Sequence, residues 1–181
     1  TVTATAIVTE LKKTNEYYLI GADINPENQI ATSLDVDEYH VFPYASNDDY
    51  LDFVLDFCKQ HKVDYYYAVL DIDEVKISRA RDKFAEIGTK LCMANYEYCS
   101  TCHFKNSFNE WIRNNVPEVY IKTYQSYDEI KDFPVFIKPV EGVASSGCRP
   151  VQTMEALNES VSLEEFNKKI IVQELVKGDV I

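Results

Sequence analysis

A lysine near the end of an apolar stretch, and the small-residue loop that follows it, carry the clearest potential for chemistry in this sequence. Residues 133–139 read FPVFIKP, with Lys138 close to the end, and a loop rich in glycine and serine occupies residues 141–147. A lysine on a buried strand is costly unless its charge meets an anion. Backbone amides of small residues can approach phosphate oxygens closely. The combination therefore suits a nucleotide triphosphate.

The same stretch also fits a plain strand, a β-turn and a surface lysine, because such loops are common. It is not a P-loop, since no Gly-Lys-Ser/Thr sequence opens a helix here. The local charge favours an anion site, because within residues 134–150 Lys138 and Arg149 outweigh the single acid, Glu141. An anion would bind in such a locally basic stretch of an acidic protein.

Composition limits the classes of partner. The 181 residues include 18 Lys and Arg against 30 Asp and Glu, a net charge of −12. That charge repels nucleic acids and anionic membranes, so we expect neither as a partner. The hydrophobic share of 46% is enough for a folded core. Five cysteines, with no signal peptide and no long apolar run, favour a reducing compartment, and we expect a cytoplasmic protein.

The first half of the chain alternates helix and strand patterns with short connections, which is typical of a parallel, doubly wound sheet. The predicted helices cover residues 3–13, 48–61 and 73–87, and the predicted strands cover 17–25, 38–44, 63–70 and 89–94. Such a sheet normally begins with a strand, whereas this chain begins with a helix, so we expect the first strand to be missing from this sequence. Gly88 is suited to ending a helix, but no local signal explains Gly21.

The second half has a different character, and we place the domain boundary near residue 94. Helical spacing of large apolar residues predicts helices over residues 95–115. Further elements are then predicted: strands over residues 120–124, 135–140, 151–153 and 170–176, and helical segments over 126–131 and 153–166. The mixture of helices and short strands indicates an α+β arrangement.

Two more segments support a specific interpretation of the Lys138 region. Lys105 opens the predicted helix that contains Trp111, and residues 171–176 form an apolar strand that turns polar before Gly178. Together with residues 133–147, these segments resemble the ATP-grasp superfamily, and the whole chain most resembles carbamoyl-phosphate-synthase large-subunit-like proteins. The resemblance implies a parallel, Rossmann-like pre-grasp domain over residues 1–94 and the first, truncated part of an α+β ATP-grasp domain over residues 95–181.

The resemblance also implies roles for individual residues. Lys105 and Lys138 would contact the ATP phosphates, and the loop over residues 142–147 would close on them. Glu174 would receive the adenine amino group. The residues implied in nucleotide binding are Lys105, Lys138, Gly142, Ala144, Ser145, Ser146, Gly147, Gln173, Glu174, Leu175, Val176 and Asp179. One departure is Ser146, which stands where the family usually has a basic residue.

The activity implied is a two-step ligation, in which ATP phosphorylates a small-molecule carboxylate to an acyl phosphate and an amine or similar nucleophile displaces phosphate. Such chemistry uses Mg²⁺, whose ligands in the family would lie beyond Ile181. We therefore expect no catalytic residue, no metal ligand and no turnover in this chain alone; a homodimer is compatible with the resemblance. The alternatives are a non-catalytic nucleotide-binding or scaffold protein that kept the fold, and a Rossmann-type binding domain with an unrelated appendage.

Residues 99–103 read CSTCH, which matches the haem c attachment pattern. The surrounding sequence has no signal peptide and no suitable second axial ligand, and we interpret the match as coincidence. The remaining cysteines and histidines make no second pair at zinc-finger spacing, although Cys58 and His61 lie one helical turn apart.

Overall fold

A computed structural model describes residues 2–142 and 145–178, with side chains described from residue 4 onward. The chain is a mixed α/β protein, which confirms the broad fold class, and it divides into two compact units, Thr1–Tyr96 and Glu97–Ile181. No helix within the described residues is long and apolar enough to cross a membrane.

Unit 1 contains four helices and two small parallel strand pairs. The helices are α1 (Val2–Thr14), α2 (Tyr50–His61), α3 (Asp71–Arg79) and α4 (Arg81–Glu86), and the strands are β1 (Ile20–Asp23), β2 (Glu38–Val41), β3 (Tyr65–Tyr66) and β4 (Lys90–Leu91). Strand β1 pairs with β2 and β3 pairs with β4, both in parallel. Short 3₁₀ turns lie at Glu27–Gln29 and Ala31–Asp35.

The core of unit 1 forms where α2, α3 and α4 meet. Val54, Ile77 and Phe84 are completely buried there. On α2, Tyr50 and Cys58 are buried with Val54 at a spacing of four residues, which is the apolar face of an amphipathic helix. The tertiary structure also shows the surroundings of Gly21: a Cβ atom at this position would lie 3.1 Å from a methyl group of Val36, a close contact that a larger residue would relieve only by shifting that side chain.

The strands predicted at residues 63–70 and 89–94 are much shorter in the structure. Pairing covers two residues on each strand. The Arg81 guanidinium takes carbonyl groups at the end of β4 and just after it. It donates to the carbonyl of Leu91 at 3.2 Å and to those of Met93 and Ala94 at 2.8 Å. Arg81 also begins α4, so the single helix predicted over residues 73–87 is divided at Ala80, whose backbone leaves the helical conformation.

Unit 2 is built on one four-stranded sheet. Its helices are α5 (Tyr96–His103, whose first residue belongs to unit 1), α6 (Lys105–Asn115) and α7 (Met154–Ser160), and its strands are β5 (Thr123–Tyr124), β6 (Val135–Pro139), β7 (Arg149–Val151) and β8 (Ile170–Glu174). Short 3₁₀ turns lie at Pro117–Val119 and Tyr127–Glu129. The strand order is β5-β8-β6-β7, and every neighbouring pair is antiparallel.

The sheet of unit 2 has two chemically different faces. Side chains alternate along a strand, and directly paired residues share a face. Val135 and Ile137 of β6 are buried, with Leu157 of α7, in the core cluster of this unit. Phe136 and Lys138 alternate with them and therefore lie on the other face. This alternation separates the charged residue from the apolar core.

Candidate functional site

Lys138 and Lys105 line one cavity in unit 2. Lys138 sits near the end of β6, on the face that Phe136 shares. Lys105 is the first residue of α6 and follows Phe104, whose backbone is extended. The amide of Lys105 donates to the Val140 carbonyl at 3.0 Å, directly after β6. This bond fixes the start of α6 beside the end of the strand and so brings the two lysines to the same place.

The cavity has a volume of about 270 Å³. Its wall combines two lysines, small loop residues and the end of β6, namely Lys105, Phe136, Lys138, Pro139, Gly142, Ser145, Ser146 and Cys148. None of these described wall residues is acidic. The ammonium group of Lys105 donates to the carbonyl of Gly142 at 3.0 Å, which ties the helix to the beginning of the loop.

The electrostatics of the cavity favour an anion. Burial lowers the pKa of Lys138 below its ordinary value, and the nearby positive charge of Lys105 lowers it further. Both causes mean that the charged form of Lys138 lacks compensation in this environment. Glu141 follows β6 by two positions, but its carboxylate is directed to His103 at 3.5 Å and is largely exposed. An incoming anion would supply the missing negative charge.

The loop after β6 has a backbone shape that depends on glycine. Gly147 has φ of +75°, a left-handed conformation, and a Cβ atom there would come within 2.9 Å of the Pro139 ring. Ser145 also has a positive φ of 57°, and its carbonyl accepts the Cys148 amide at 3.0 Å. The predicted loop residues Gly142, Ser145 and Ser146 line the cavity, whereas Ala144 lies outside the described residues.

Gln173 lies on the same face of the sheet as Lys138. It pairs directly with Phe136 across β6 and β8. Its side chain is buried and donates to Thr123 Oγ1 at 2.8 Å and to Asn109 Oδ1 at 3.2 Å. These bonds link β8 to β5 and α6, so Gln173 organises the site without lining the cavity.

Glu174 lies on the opposite face. It pairs with Val135, whose side chain points into the core side of the sheet, and its own carboxylate is exposed. The Glu174 carboxylate therefore does not lie on the Lys138 face of the sheet. The ladder ends at Glu174, which leaves the backbone of Leu175 and Val176 beyond the sheet. Asp179 lies outside the described residues.

Lys138, predicted to contact the phosphates, and Glu174, predicted to contact the adenine, lie on one sheet. Of the two, only Lys138 lines the cavity. Val135, the partner of Glu174, lies three positions before Lys138 on β6, which corresponds to roughly 10 Å along an extended strand. Sequence patterns did not predict three of the wall residues, namely Phe136, Pro139 and Cys148. Phe136 carried a signal, because a residue two positions before Lys138 on a strand must share its face.

The haem-like pattern falls on helix α5. Cys99 is buried and Cys102 is exposed, and the ring of His103 packs edge-on against Phe104 at 4.8 Å. The two thiols therefore do not share an exposed edge, which is in line with interpreting the pattern as coincidence.

Sequence comparisons and structural comparisons give different results. No protein-family model and no curated protein sequence matches this chain. Solved structures do. The biotin carboxylase domain of 2-oxoglutarate carboxylase from Hydrogenobacter thermophilus, in complex with MgADP, ADP and bicarbonate, is similar over 96% of this chain and 42% of its own, with a TM-score of 0.68 and 14% identity.

Two further enzymes are similar to this chain in fold. Biotin carboxylase from Campylobacter jejuni covers 96% of this chain and 43% of its own, with a TM-score of 0.68 and 12% identity. D-alanine–D-alanine ligase from Bacillus anthracis covers 88% of this chain and 57% of its own, with a TM-score of 0.57 and 18% identity. The chain thus spans less than half the length of the two carboxylase chains. These enzymes are ATP-grasp proteins, and this chain adopts the ATP-grasp fold over the part that it spans.

Proposed function

We propose that this chain is the ATP-binding portion of an ATP-dependent ligase of the ATP-grasp type. One observation carries the proposal: two lysines line a single cavity whose described wall contains no acidic side chain. A polyphosphate is the common metabolite group that matches two clustered cations beside a small-residue loop. The Hydrogenobacter carboxylase domain, which is similar in fold, binds ADP and MgADP, and this supports the choice of ligand.

The proposed roles follow the geometry. Lys105 and Lys138 hold the phosphates, Gly142, Ser145 and Ser146 close over them, and Gly147 keeps the loop against Pro139. The region around Gln173 receives the adenine, with hydrogen bonds from backbone groups at Glu174, Leu175 and Val176. We propose that Ala144 belongs to the same loop and that Asp179 contacts the ribose. The two lysines and the loop amides are thereby placed where the phosphate charge must be neutralised.

In the proposed reaction of the whole enzyme, a carboxylate oxygen attacks the γ-phosphorus of ATP. The bond from that phosphorus to the β-phosphate oxygen breaks, and ADP leaves. A nucleophile such as an amine then attacks the acyl carbon of the acyl phosphate, and inorganic phosphate leaves. We propose a carbamoyl-phosphate-synthase-like enzyme in which residues 1–94 form a Rossmann-like pre-grasp domain, residues 95–181 begin the ATP-grasp domain, and homodimers form.

The described wall of the cavity offers Mg²⁺ no carboxylate ligand, although carboxylates are the protein ligands that usually bind this ion. No step is therefore assigned to a metal ion in this chain. For the same reason we propose that the 181-residue chain binds nucleotide without turning it over. A non-catalytic nucleotide-binding protein is the second candidate, and Ser146, in place of the usual basic residue, favours it.

Calorimetric titration of the chain with ATP tests the binding proposal. Lys138→Met removes the ammonium group but keeps most of the aliphatic stem, and we expect it to weaken ATP binding by about tenfold to a hundredfold. Lys131→Met is the matched control, because Lys131 is exposed and lies on the same unit. Absence of ATP binding by the unaltered chain, or equal affinities of the two variants, would contradict the proposal.

A phosphate-release assay tests turnover separately. We expect no release above the uncatalysed rate from the 181-residue chain. Release that Lys138→Met abolishes would show that the chain is itself catalytic, and would leave the binding proposal intact.

A further inference from the structure

A cluster of two histidines and one glutamate lies in unit 1, whereas Lys105 and Lys138 belong to unit 2. Glu38 and His40 stand two residues apart on β2 and therefore share a face of that strand. His61 is the last residue of α2. The Glu38 Oε1 atom lies 2.6 Å from Nε2 of His40 and 3.4 Å from Nδ1 of His61. Three candidate ligand atoms thus lie within 4.8 Å of one another.

The surrounding residues hold both imidazole rings in place. The ring of Phe57, one helical turn before His61, stacks on the His61 ring with centroids 4.1 Å apart. The same phenyl ring meets His40 edge-on at 4.8 Å. The helix ends immediately after His61 because Lys62 adopts a left-handed conformation, with its amide donating to the Cys58 carbonyl. Phe57 thereby fixes the orientation of both histidines toward Glu38.

The second oxygen of the Glu38 carboxylate is also held. It accepts a hydrogen bond from the Tyr18 hydroxyl at 3.4 Å. A carboxylate oriented by an outside hydrogen bond is typical of metal sites, where such bonds fix the ligand geometry. The three side chains retain between 27% and 32% of their exposure. Solvent can therefore reach the cluster and supply a further ligand.

The geometry points to a site for a divalent transition-metal ion of the zinc class, held by Glu38, His40 and His61. Two imidazoles and one carboxylate are a common zinc ligand set. With metal–ligand bonds of about 2.0–2.1 Å, neighbouring donors of a tetrahedral site lie about 3.3 Å apart. The Glu38–His61 separation is already close to this value. His40 has only to exchange its hydrogen bond to Glu38 for a bond to the metal.

Spacing along the chain gives no hint of this cluster, because His40 and His61 are 21 positions apart. Their proximity arises only because β2 and the end of α2 are brought together. The inference is independent of the nucleotide proposal, since it rests on residues of unit 1 alone.

Titration of the chelator-treated chain with zinc chloride tests the inference. We expect one equivalent of Zn²⁺ to bind, and Glu38→Gln and His61→Gln each to weaken its affinity at least tenfold. His103→Gln is the control, because it alters the third histidine of the chain without touching the cluster. Absence of a one-to-one isotherm, or equal affinities of all three variants, would overturn the inference.

A spectroscopic readout separates this site from binding by the five cysteines. Co²⁺ bound through nitrogen and oxygen ligands gives d–d absorption without the thiolate charge-transfer band that sulfur ligands produce. We expect d–d absorption alone, and its loss in Glu38→Gln. The zinc-dependent rise in melting temperature is expected to disappear in the same variant, while its melting temperature without metal confirms folding. A thiolate band at one equivalent would assign the metal to cysteine and overturn the inference.

Discussion

The two units of this protein treat buried charge in opposite ways. In unit 1 the carboxylate of Asp73 is buried, and it accepts hydrogen bonds from the Tyr50 hydroxyl at 2.9 Å and the Tyr66 hydroxyl at 3.1 Å. In unit 2 the half-buried Lys138 shares its cavity with a second cation, Lys105, and with no acidic wall residue among those described. The buried carboxyl group is hydrogen-bonded within its own unit, whereas the lysine faces a second cation across an open cavity.

This difference distinguishes a structural polar cluster from a candidate binding site. Buried polar groups are costly unless they are hydrogen-bonded, so a folded chain normally pairs them internally. Lys105 and Lys138 line an open cavity without an acidic partner among the described wall residues, so the free-energy cost of their charges is not offset there. Ser145, a non-glycine residue in the left-handed conformation, lies at the same place, and such backbone strain is concentrated at functional loops. The following experiments test the contrast, in order of decreasing effect.

Removal of both cations is expected to have the greatest effect. Lys105→Ala combined with Lys138→Ala should weaken ATP binding by at least about a hundredfold, because two charge-assisted hydrogen bonds are lost. The double variant Lys131→Ala with Lys168→Ala loses the same net charge from exposed positions. Equal losses of affinity in the two double variants, measured by calorimetry at one salt concentration, would show that only overall charge matters.

Gly147→Ala is expected to weaken ATP binding by roughly tenfold. A Cβ atom would meet the Pro139 ring at 2.9 Å, and the left-handed backbone would be strained by about 1–3 kcal/mol. Gly178→Ala is the control, because a Cβ there meets no heavy atom within 4 Å. Fluorescence titration with a nucleotide analogue gives both affinities. An unchanged affinity in Gly147→Ala would show that the backbone conformation of the loop does not contribute to ATP binding.

Gln173→Ala is expected to reduce the stability of unit 2 by about 1–3 kcal/mol, since Thr123 and Asn109 lose a buried hydrogen-bond partner. Trp111, the single tryptophan, lies on α6 with Asn109 and reports unfolding of this unit by fluorescence in urea. Gln152→Ala, at an exposed position, should change stability by less than about 0.5 kcal/mol. Equal urea midpoints for the two variants would show that the Gln173 hydrogen bonds do not stabilise unit 2.

The smallest effect is a pH dependence in unit 1. Burial raises the pKa of Asp73 above its usual 3.8, while the two tyrosine hydrogen bonds oppose that shift. Because the folded form holds its proton more tightly, the contribution of Asp73 to stability is greatest at low pH and falls as pH rises through the raised pKa. The stability of the unaltered chain relative to Asp73→Asn should therefore fall as pH rises above 3.8.

Urea unfolding followed by circular dichroism at several pH values measures this difference. Asp71→Asn, at an exposed position in the first turn of the same helix, is the control. A difference that rises with pH would mean that hydrogen bonding to the tyrosines outweighs burial at Asp73, and a difference that is constant with pH would mean that the two effects cancel; either result would contradict the prediction.

Much of the fold was accessible from local patterns. Periodicity predicted helices where α2 and α6 lie, and it predicted strands over β6 and β8, because amphipathic spacing over a full element is a strong signal. The lengths of strands β3 and β4 were overestimated from the sequence. The Arg81 guanidinium donates to the carbonyl of Leu91, the last residue of β4, and to that of Met93 just after it. Local pattern does not show a side chain that takes these carbonyl groups from a distant position.

The candidate site shows the same division. Lys138 and the glycine-rich loop are recognisable by residue type, and Phe136 could have been added from alternation along the strand. The position of Glu174 on the opposite face follows from its register with Val135. Register depends on which strands pair, and an isolated strand sequence does not specify its partner.

Local sequence was sufficient to determine the α/β class, the order of most elements and the residue types of an anion site, because these depend on neighbours within a few positions. Tertiary packing was needed to establish that Lys105 and Lys138 line one cavity, that Gly21 packs closely against Val36, and that His61 lies beside Glu38. Each of these involves residues that are distant in the chain. Their contact arises from the packing of whole elements, which minimises exposed apolar surface rather than following any local rule.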